Sequence, residues 1–333
     1  MSSFKVVITD HYFPTIEPET RLLATIGAVV VTAASRAEED VIAAAHDADG
    51  ILLGHAQMTA SVIARLQRCR IIARYGVGYD NVDLEAATAH GIYVTNVPDY
   101  CMDEVATHAL MLALACLRRL PRQMAAVRSG DWQARDNRDI PRLAGLTFGI
   151  LGLGRIGSTT AHKAAGIGFR VIACDPYIPR ERFAALDVKP VTFDELLACS
   201  DVLSLHTPLT PETRGLIDET VLRRMKPTAI LINTARGPIV RNAAVARALQ
   251  EGWIAGAGLD VFEEEPIPLD DPLLADPRAI LTPHVAFASQ TSILENQTRA
   301  AQEIVRVLTG QTPINVVNPG VRPRSFASQG RSA

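Results

Sequence analysis

Three polar residues, Arg236, Glu265 and His284, each follow a short apolar run, and together they make a set able to move a hydride and a proton. A planar guanidinium grips a carboxylate through paired hydrogen bonds and polarises an adjacent carbonyl. An imidazole gives or takes the alcohol proton, while a neighbouring carboxylate orients the ring and favours its protonated form. Taken singly, each has a plainer reading: a surface arginine, part of a solvated acidic run at Glu263, Glu264 and Glu265, and a histidine capping a turn. Their shared placement joins them, because the runs at 230–233, 256–260 and 280–282 read as strands of one sheet. Parallel strands bring their C-terminal ends to the same edge.

A second pattern lies upstream. Gly152, Gly154 and Gly157, with Arg155 and Ile156 between the last two, form a GxGxxG. A strand at 147–151 precedes it, a helix at 156–167 follows, and a second strand at 170–174 ends at Asp175, eighteen positions beyond Gly157. In that context Gly152 makes the tight turn, Gly154 lets backbone approach a pyrophosphate, and Gly157 lets helix and strand pack closely. The helix N-terminus offers unpaired N–H groups to phosphates. Asp175 accepts from an adenosine ribose diol and repels a 2′-phosphate, so NAD is expected over NADP. Arg155 either meets the pyrophosphate or faces solvent. His206, Thr207 and Pro208 follow a strand at 202–205 and would sit over the cofactor, with a locally satisfied loop histidine as the other reading of His206.

The elements that position these residues alternate strand and helix throughout. Strands are predicted at 5–9, 28–31, 50–53, 71–73 and 92–95, with helical patterns between them, and the alternation restarts after residue 145. The fold class is therefore α/β: two Rossmann-like, doubly wound parallel sheets with a cleft between them. A long helical pattern at 103–120 joins the halves, and another at 292–308 returns the chain to the first. The expected division is a discontinuous domain of residues 1–100 and 290–318, an NAD-binding domain of residues 101–289 that carries the glycine turn, and a disordered tail of residues 319–333. Hinges are expected near 96–98 and 287–289. The segment 121–143 lacks a sustained apolar period and reads either as an arm reaching a second subunit or as a solvated loop.

Composition narrows the function classes. At 333 residues the length prior is about two domains of roughly 150 residues. Lys plus Arg number 33 against 36 Asp plus Glu, which leaves no basic footprint for nucleic acid or an anionic membrane. No apolar run is long enough to span a bilayer. Five cysteines with no CxxC spacing read as buried small hydrophobes in a reducing cytoplasm, without a metal framework.

The chain resembles the D-isomer-specific 2-hydroxyacid dehydrogenase family over nearly its whole length. The matching stretches are Arg74 to Asp83 (RYGVGYDNVD), Gly152 to Gly157, Asn233 to Gly237 (NTARG), Gly258 to Phe262 (GLDVF) with Glu265 and Pro266, and Thr282 to His284 (TPH). The resemblance implies reversible NAD-dependent reduction of a 2-oxo acid to a D-2-hydroxy acid by hydride transfer. It places the catalytic Arg, Glu and acid/base His on Arg236, Glu265 and His284. It makes the split domain of residues 1–100 and 290–318 a flavodoxin-like substrate-binding domain, and Tyr75, Gly76, Val77 and Gly78 the loop that takes the substrate carboxylate, with Tyr75, Tyr100 and Phe287 lining the pocket. Thr234, Ala235 and Asp260 fall near the nicotinamide, and a homodimer is expected. The stretch Val97 to His108 resembles the branch holding the C-terminal-binding-protein corepressors, although Phe287 stands where those have Trp. An NADH-sensing scaffold with vestigial catalysis is the competing class. Glu265 argues against formate oxidation, whose enzymes in this family pair the His with Gln.

Overall fold

A computed structural model describes residues 4–132 and 140–324, and the chain divides into two compact units. One comprises Met1–Tyr100 with Ser289–Ala333, the other Cys101–Ala288.

The first unit alternates β1 (Lys5–Ile8), α1 (Glu17–Ala24), β2 (Val29–Thr32), α2 (Glu38–Ala45), β3 (Gly50–Leu53), α3 (Ala60–Ala64), β4 (Ile71–Arg74), α4 (Leu84–Ala89) and β5 (Tyr93–Thr95). The strands pair in parallel in the order β2-β1-β3-β4-β5, in register Val6 to Gly50, Gly50 to Ile71 and Ile71 to Tyr93. Central β3 is buried on both faces, as its unbroken apolar run requires, whereas edge strand β2 leaves Val29 and Val31 exposed. Thr59 and Asp83 cap α3 and α4 by accepting from the N–H groups of Val62 and Ala86.

The second unit opens with α5 (Met102–Leu117) and α6 (Leu120–Arg128), then runs β6 (Thr147–Leu151), α7 (Arg155–Gly166), β7 (Arg170–Cys174), α8 (Arg180–Ala185), β8 (Lys189–Pro190), α9 (Phe193–Cys199), β9 (Val202–Leu205), α10 (Glu219–Leu222), β10 (Ile230–Asn233), α11 (Asn242–Gln250), β11 (Gly256–Leu259) and β12 (Ala279–Leu281). Its seven parallel strands are ordered β12-β11-β10-β9-β6-β7-β8. Apolar clusters cover both faces of the sheet, and α5, apolar along most of its buried side, packs against β10, β11 and β12. The last helix, α12 (Gln290–Leu308), belongs to the first unit and packs on α1, β3 and β4. A reciprocal box of Ser289 and Ser292 caps it.

Four local features depart from expectation. Two-residue β8 was not predicted, since so short an exposed edge carries no period. Part of segment 121–143 is helical: α6 begins with Pro in its first turn, where a missing N–H costs nothing, and it buries no residue. The remainder of that segment includes residues 133–139, outside those described. The tail holds its place as far as Arg324, whose guanidinium donates to the carbonyls of Leu66, Gln67 and His90. Residues 325–333 of the expected disordered tail lie outside those described. Finally, Cys69, Cys101 and Cys116 are buried as expected, but Cys174 is half-buried and Cys199 exposed at the end of α9. Burial pushes the Cys69 and Cys116 thiols up to about 12. No helix among the described residues is long and apolar enough to cross a membrane.

Candidate active site

The second unit builds its candidate site from the ends of neighbouring strands. After β6 the chain turns at Gly152, whose φ is +91° and whose N–H donates to the Cys174 carbonyl at 2.9 Å. Gly154 caps α7, and no atom lies within 4 Å of where its Cβ would stand, so the backbone there is open to a close neighbour. A Cβ on Gly157 would meet the Gly152 carbonyl oxygen at 2.1 Å, so loop and helix close only on glycine. Arg155 is exposed and Ile156 half-buried in the first turn of α7. Asp175, past β7, accepts from the N–H of Leu153 at 2.8 Å and of Tyr177 at 3.0 Å. Its carboxylate is thereby locked to the glycine loop.

Beside this loop, His206 follows β9 with Nε2 2.9 Å from Ser204 Oγ. Burial pushes its pKa down to about 4, so the ring is neutral at pH 7. Pro208 accepts from Thr213 Oγ1 at 2.7 Å. The hydroxyls of Thr207 and Thr234 are buried and have no hydrogen-bond partner among the described residues. A buried polar group left unpaired costs about 1–3 kcal/mol. Two such hydroxyls past adjacent strands β9 and β10, next to an open glycine turn, fit a polar ligand of dinucleotide character.

Arg236 leaves β10 through a loop fastened at both ends. Asn233 accepts from the Ala235 N–H at 3.0 Å and donates to the Arg236 carbonyl at 2.9 Å, while Arg236 Nη1 donates to the Ala235 carbonyl at 2.7 Å. The next residue must be small: a Cβ on Gly237 would stand 1.7 Å from the Phe262 carbonyl oxygen. That close approach lays the Arg236 loop on the segment after β11, which carries Glu265. Glu265 Oε1 accepts from the Phe262 N–H at 3.0 Å, and Oε2 lies 2.7 Å from His284 Nδ1. The Glu265–Pro266 peptide is cis. His284 itself adopts φ +53°, a left-handed conformation costing a residue with a Cβ about 1–2 kcal/mol. Its N–H donates to the Asp260 carbonyl at 2.8 Å, and Phe287 stands edge-on to its ring at 6.3 Å. Arg236, Glu265 and His284 thus come from the contiguous strands β10, β11 and β12.

Asp260 corrects one reading. The sequence groups it with cofactor-binding residues, but it is 1% exposed, and its carboxylate accepts from Thr282 Oγ1 and from the N–H groups of Val285 and Ala286. It braces the His284 segment from inside.

In the first unit, Tyr75, Gly76, Val77 and Gly78 leave β4 as expected. The Gly76 carbonyl accepts from the Val97 N–H and the Val77 carbonyl from Asn96 Nδ2, so the loop's carbonyls are tied back. Tyr100 is nearly buried, its hydroxyl 3.4 Å from where a Gly76 Cβ would stand. The Tyr75 side chain is a second correction. It turns inward, 1% exposed, edge-on to Phe13 at 5.0 Å, and its hydroxyl donates to Glu19 Oε1 at 2.9 Å. It props the loop and does not line a pocket.

Sequence reasoning passed over Glu19, Gln297 and His108, which carry these networks. His108 alone left a trace, as a polar residue within an apolar helical run.

Residues 110–286 match the family described as D-isomer specific 2-hydroxyacid dehydrogenase, NAD binding domain. The chain is 44% identical over 277 residues to a glyoxylate reductase of Korarchaeum cryptofilum, covering 80% of this chain and 82% of that one. It is 38% identical over 316 residues to a D-3-phosphoglycerate dehydrogenase of Methanocaldococcus jannaschii, covering 94% of this chain but only 59% of the longer relative. A crystal structure of D-lactate dehydrogenase from Aquifex aeolicus, complexed with NAD and lactic acid, superposes with a TM-score of 0.84 at 29% identity, covering 94% and 99% of the two chains.

Proposed function

This chain belongs to the D-isomer specific 2-hydroxyacid dehydrogenase family, and on that premise we propose how it works. It is an NAD-dependent oxidoreductase that interconverts a 2-oxo acid and a D-2-hydroxy acid. The His284 Nδ1 to Glu265 Oε2 contact at 2.7 Å carries the mechanistic reading. With the Glu265 carboxylate holding Nδ1, the ring is fixed in orientation and Nε2 is the nitrogen left to hand a proton to the carbonyl oxygen. In the reverse direction the neutral ring takes that proton from the alcohol. Arg236 pairs with the substrate carboxylate and polarises the carbonyl beside it. In the first unit, the N–H groups of Val77 and Gly78 belong to a loop whose carbonyls are already engaged, which suits them to take a substrate carboxylate.

Bound NADH supplies the hydride. Gly152, Gly154 and Gly157, at the start of α7, would hold its pyrophosphate with Arg155 and Ile156 beside them, and Asp175 would take the ribose diol. His206, Thr207, Pro208, Thr234 and Ala235 would hold the remainder, and its polar groups would give the two buried hydroxyls partners. Residues Met1–Tyr100 with α12 form the substrate-binding domain and Cys101–Ala288 the NAD-binding domain. The relatives named glyoxylate reductase support a small unphosphorylated 2-oxo acid as the substrate. The relatives are named for reactions, and the scaffold reading is not favoured beside them.

A homodimer accounts for α6, whose Leu120, Met124 and Val127, with Trp132 beyond it, stand exposed. A cytoplasmic setting suits a chain whose cysteines are all free thiols. The deciding experiment is NADH oxidation against glyoxylate, hydroxypyruvate, pyruvate and a phosphorylated 2-oxo acid, with NADPH in parallel. Turnover on a small 2-oxo acid is expected, with His284→Ala and Arg236→Ala each losing about 100-fold or more while still binding NADH. A fully active His284→Ala enzyme would refute the assignment.

A further inference from the structure

Along α5 the buried side chains are apolar (Val105, Ala109, Leu112, Cys116), and His108 breaks that pattern. It is not a solvated residue: its side chain is 15% exposed, and Nε2 lies 3.0 Å from Thr282 Oγ1 and 3.5 Å from Asp260 Oδ1. The proton assignments follow from the inventory of donors. Thr282 Oγ1 donates its one hydrogen to Asp260 Oδ1 at 2.5 Å, so toward His108 it accepts, and Nε2 carries a hydrogen. Asp260 Oδ1 also accepts from the Val285 N–H at 3.0 Å and Oδ2 from the Ala286 N–H at 2.8 Å, while the Asp260 carbonyl accepts from the His284 N–H. A single chain of hydrogen bonds therefore runs from α5 through Thr282 and Asp260 to the backbone N–H groups of Val285 and Ala286, the two residues after His284. His284 is the residue held at φ +53°. A conformation of that kind persists only where its surroundings over-determine it.

We propose that His108 and Thr282 are positioning residues for the proton transfer. They fix the Asp260 carboxylate, which fixes the 284–286 backbone and so aims the His284 imidazole at the reacting oxygen with Glu265 behind it. This rests on His284 being the acid/base group. Neither His108 nor Thr282 touches the substrate in this role; each acts through Asp260. Second-tier partners of this kind matter because a misplacement of about 1 Å in a reacting group can cost about 100-fold in rate.

The test uses full-length protein in two conservative pairs: Thr282→Val with Thr282→Ser, and His108→Leu with His108→Gln. In each pair only the second keeps a group able to make the hydrogen bond. Expected for Thr282→Val and His108→Leu is a fall in kcat of about 10- to 100-fold with KM for NADH within twofold of wild type. Thr282→Ser and His108→Gln should recover kcat to within about threefold, which a loss of general folding would not allow. A second readout needs no cofactor: the His284 Cε1–H resonance of the unliganded protein should shift or broaden in Thr282→Val and return to its wild-type position in Thr282→Ser. The proposal is overturned by wild-type kcat in Thr282→Val and His108→Leu, by failure of both conservative variants to recover, or by an unmoved His284 resonance in a slow Thr282→Val enzyme. A parallel His284→Ala separates the two readings. If that variant is inactive while Thr282→Val is fully active, only the positioning role fails; if His284→Ala is active, the acid/base assignment fails and takes this proposal with it.

Discussion

Glu19 in the first unit and Asp260 in the second are both buried carboxylates tied to a loop that leaves a strand end, yet they hold those loops by different means. Glu19 is 0% exposed and gathers side chains from far along the chain: the Tyr75 hydroxyl on Oε1 and, on Oε2, the Gln297 amide of α12 at 2.8 Å. Gln297 also donates to the Thr15 carbonyl at 2.7 Å, so α1, α12 and the Tyr75 loop share one knot. Asp260 instead takes two consecutive backbone N–H groups within a segment it helps to shape. The first arrangement joins elements and leaves the loop's own backbone to Asn96 and Val97. The second prescribes the dihedral path of the loop itself. A carboxylate that aims a catalytic group is anchored on backbone; one that assembles a domain is anchored on side chains.

The largest consequence falls on Asp260. Asp260→Ala strands the buried Ala286 N–H, the part-buried Val285 N–H and the Thr282 hydroxyl, so kcat should fall about 100-fold or more, and the protein should lose about 2–3 kcal/mol of stability. Glu19→Leu should produce a comparable stability loss, because it also strands buried donors, yet kcat should fall no more than about fivefold, with most of the damage in KM for the 2-oxo acid. Steady-state kinetics beside denaturant melts of both variants check this. Equal kcat losses would erase the distinction between aiming and assembling. Tyr75→Phe sharpens it further: with Gln297 still on Glu19, only one hydrogen bond is lost, about 1 kcal/mol, and KM should rise with kcat held.

The same contrast explains what the sequence could disclose. Arg236, Glu265 and His284 are legible because each stands within a few positions of a strand whose apolar run announces it, and parallel strands in a doubly wound sheet end on one edge. The Gly152 to Gly157 turn is legible because its requirement is local: a Cβ at Gly157 strikes backbone five residues away. The inward turn of Tyr75 is not, since its reason is Glu19, 56 positions earlier, and an aromatic beside a glycine loop reads equally well as a pocket wall. Asp260 misleads for a related reason. A carboxylate at a strand end suggests a ligand, and only the return of the chain at 282–286 turns it inward. Helix α6 was hidden because it spans only nine residues, and its apolar stripe of Leu120, Met124 and Val127 is too short to be told from a solvated segment.

Buried titratable groups also set the two units apart, with opposite signs. His206 in the second unit is held neutral, its pKa pushed down to about 4 by burial. Between the unfolded value near 6.5 and that folded value, the unfolded chain binds more protons, so the stabilisation present above about pH 6.5 is lost as pH falls toward 4. The full loss is about 3 kcal/mol, and His206→Gln should remove that acid sensitivity. Glu19 in the first unit runs the other way. Burial raises its pKa, with the hydrogen bonds from Tyr75 and Gln297 opposing the rise only in part. As pH climbs through the ordinary carboxyl range the unfolded chain releases its proton first, so stability present in acid is lost as pH rises through the folded pKa. Glu19→Gln carries no charge at any pH. It gives up one acceptor, a penalty that does not change with pH, and it escapes the charge burial, which does. Its melting temperature relative to wild type should therefore improve as pH rises from 4 toward 8, by a few degrees at most, and level off once Glu19 is ionised in the folded chain. Scanning calorimetry of wild type, Glu19→Gln and His206→Gln across that range reads both slopes together. Parallel slopes for the two variants would show that the units do not differ in how they bury charge, and a flat Glu19→Gln difference would show that the Glu19 knot is as well matched to an ionised carboxylate as the Asp260 brace.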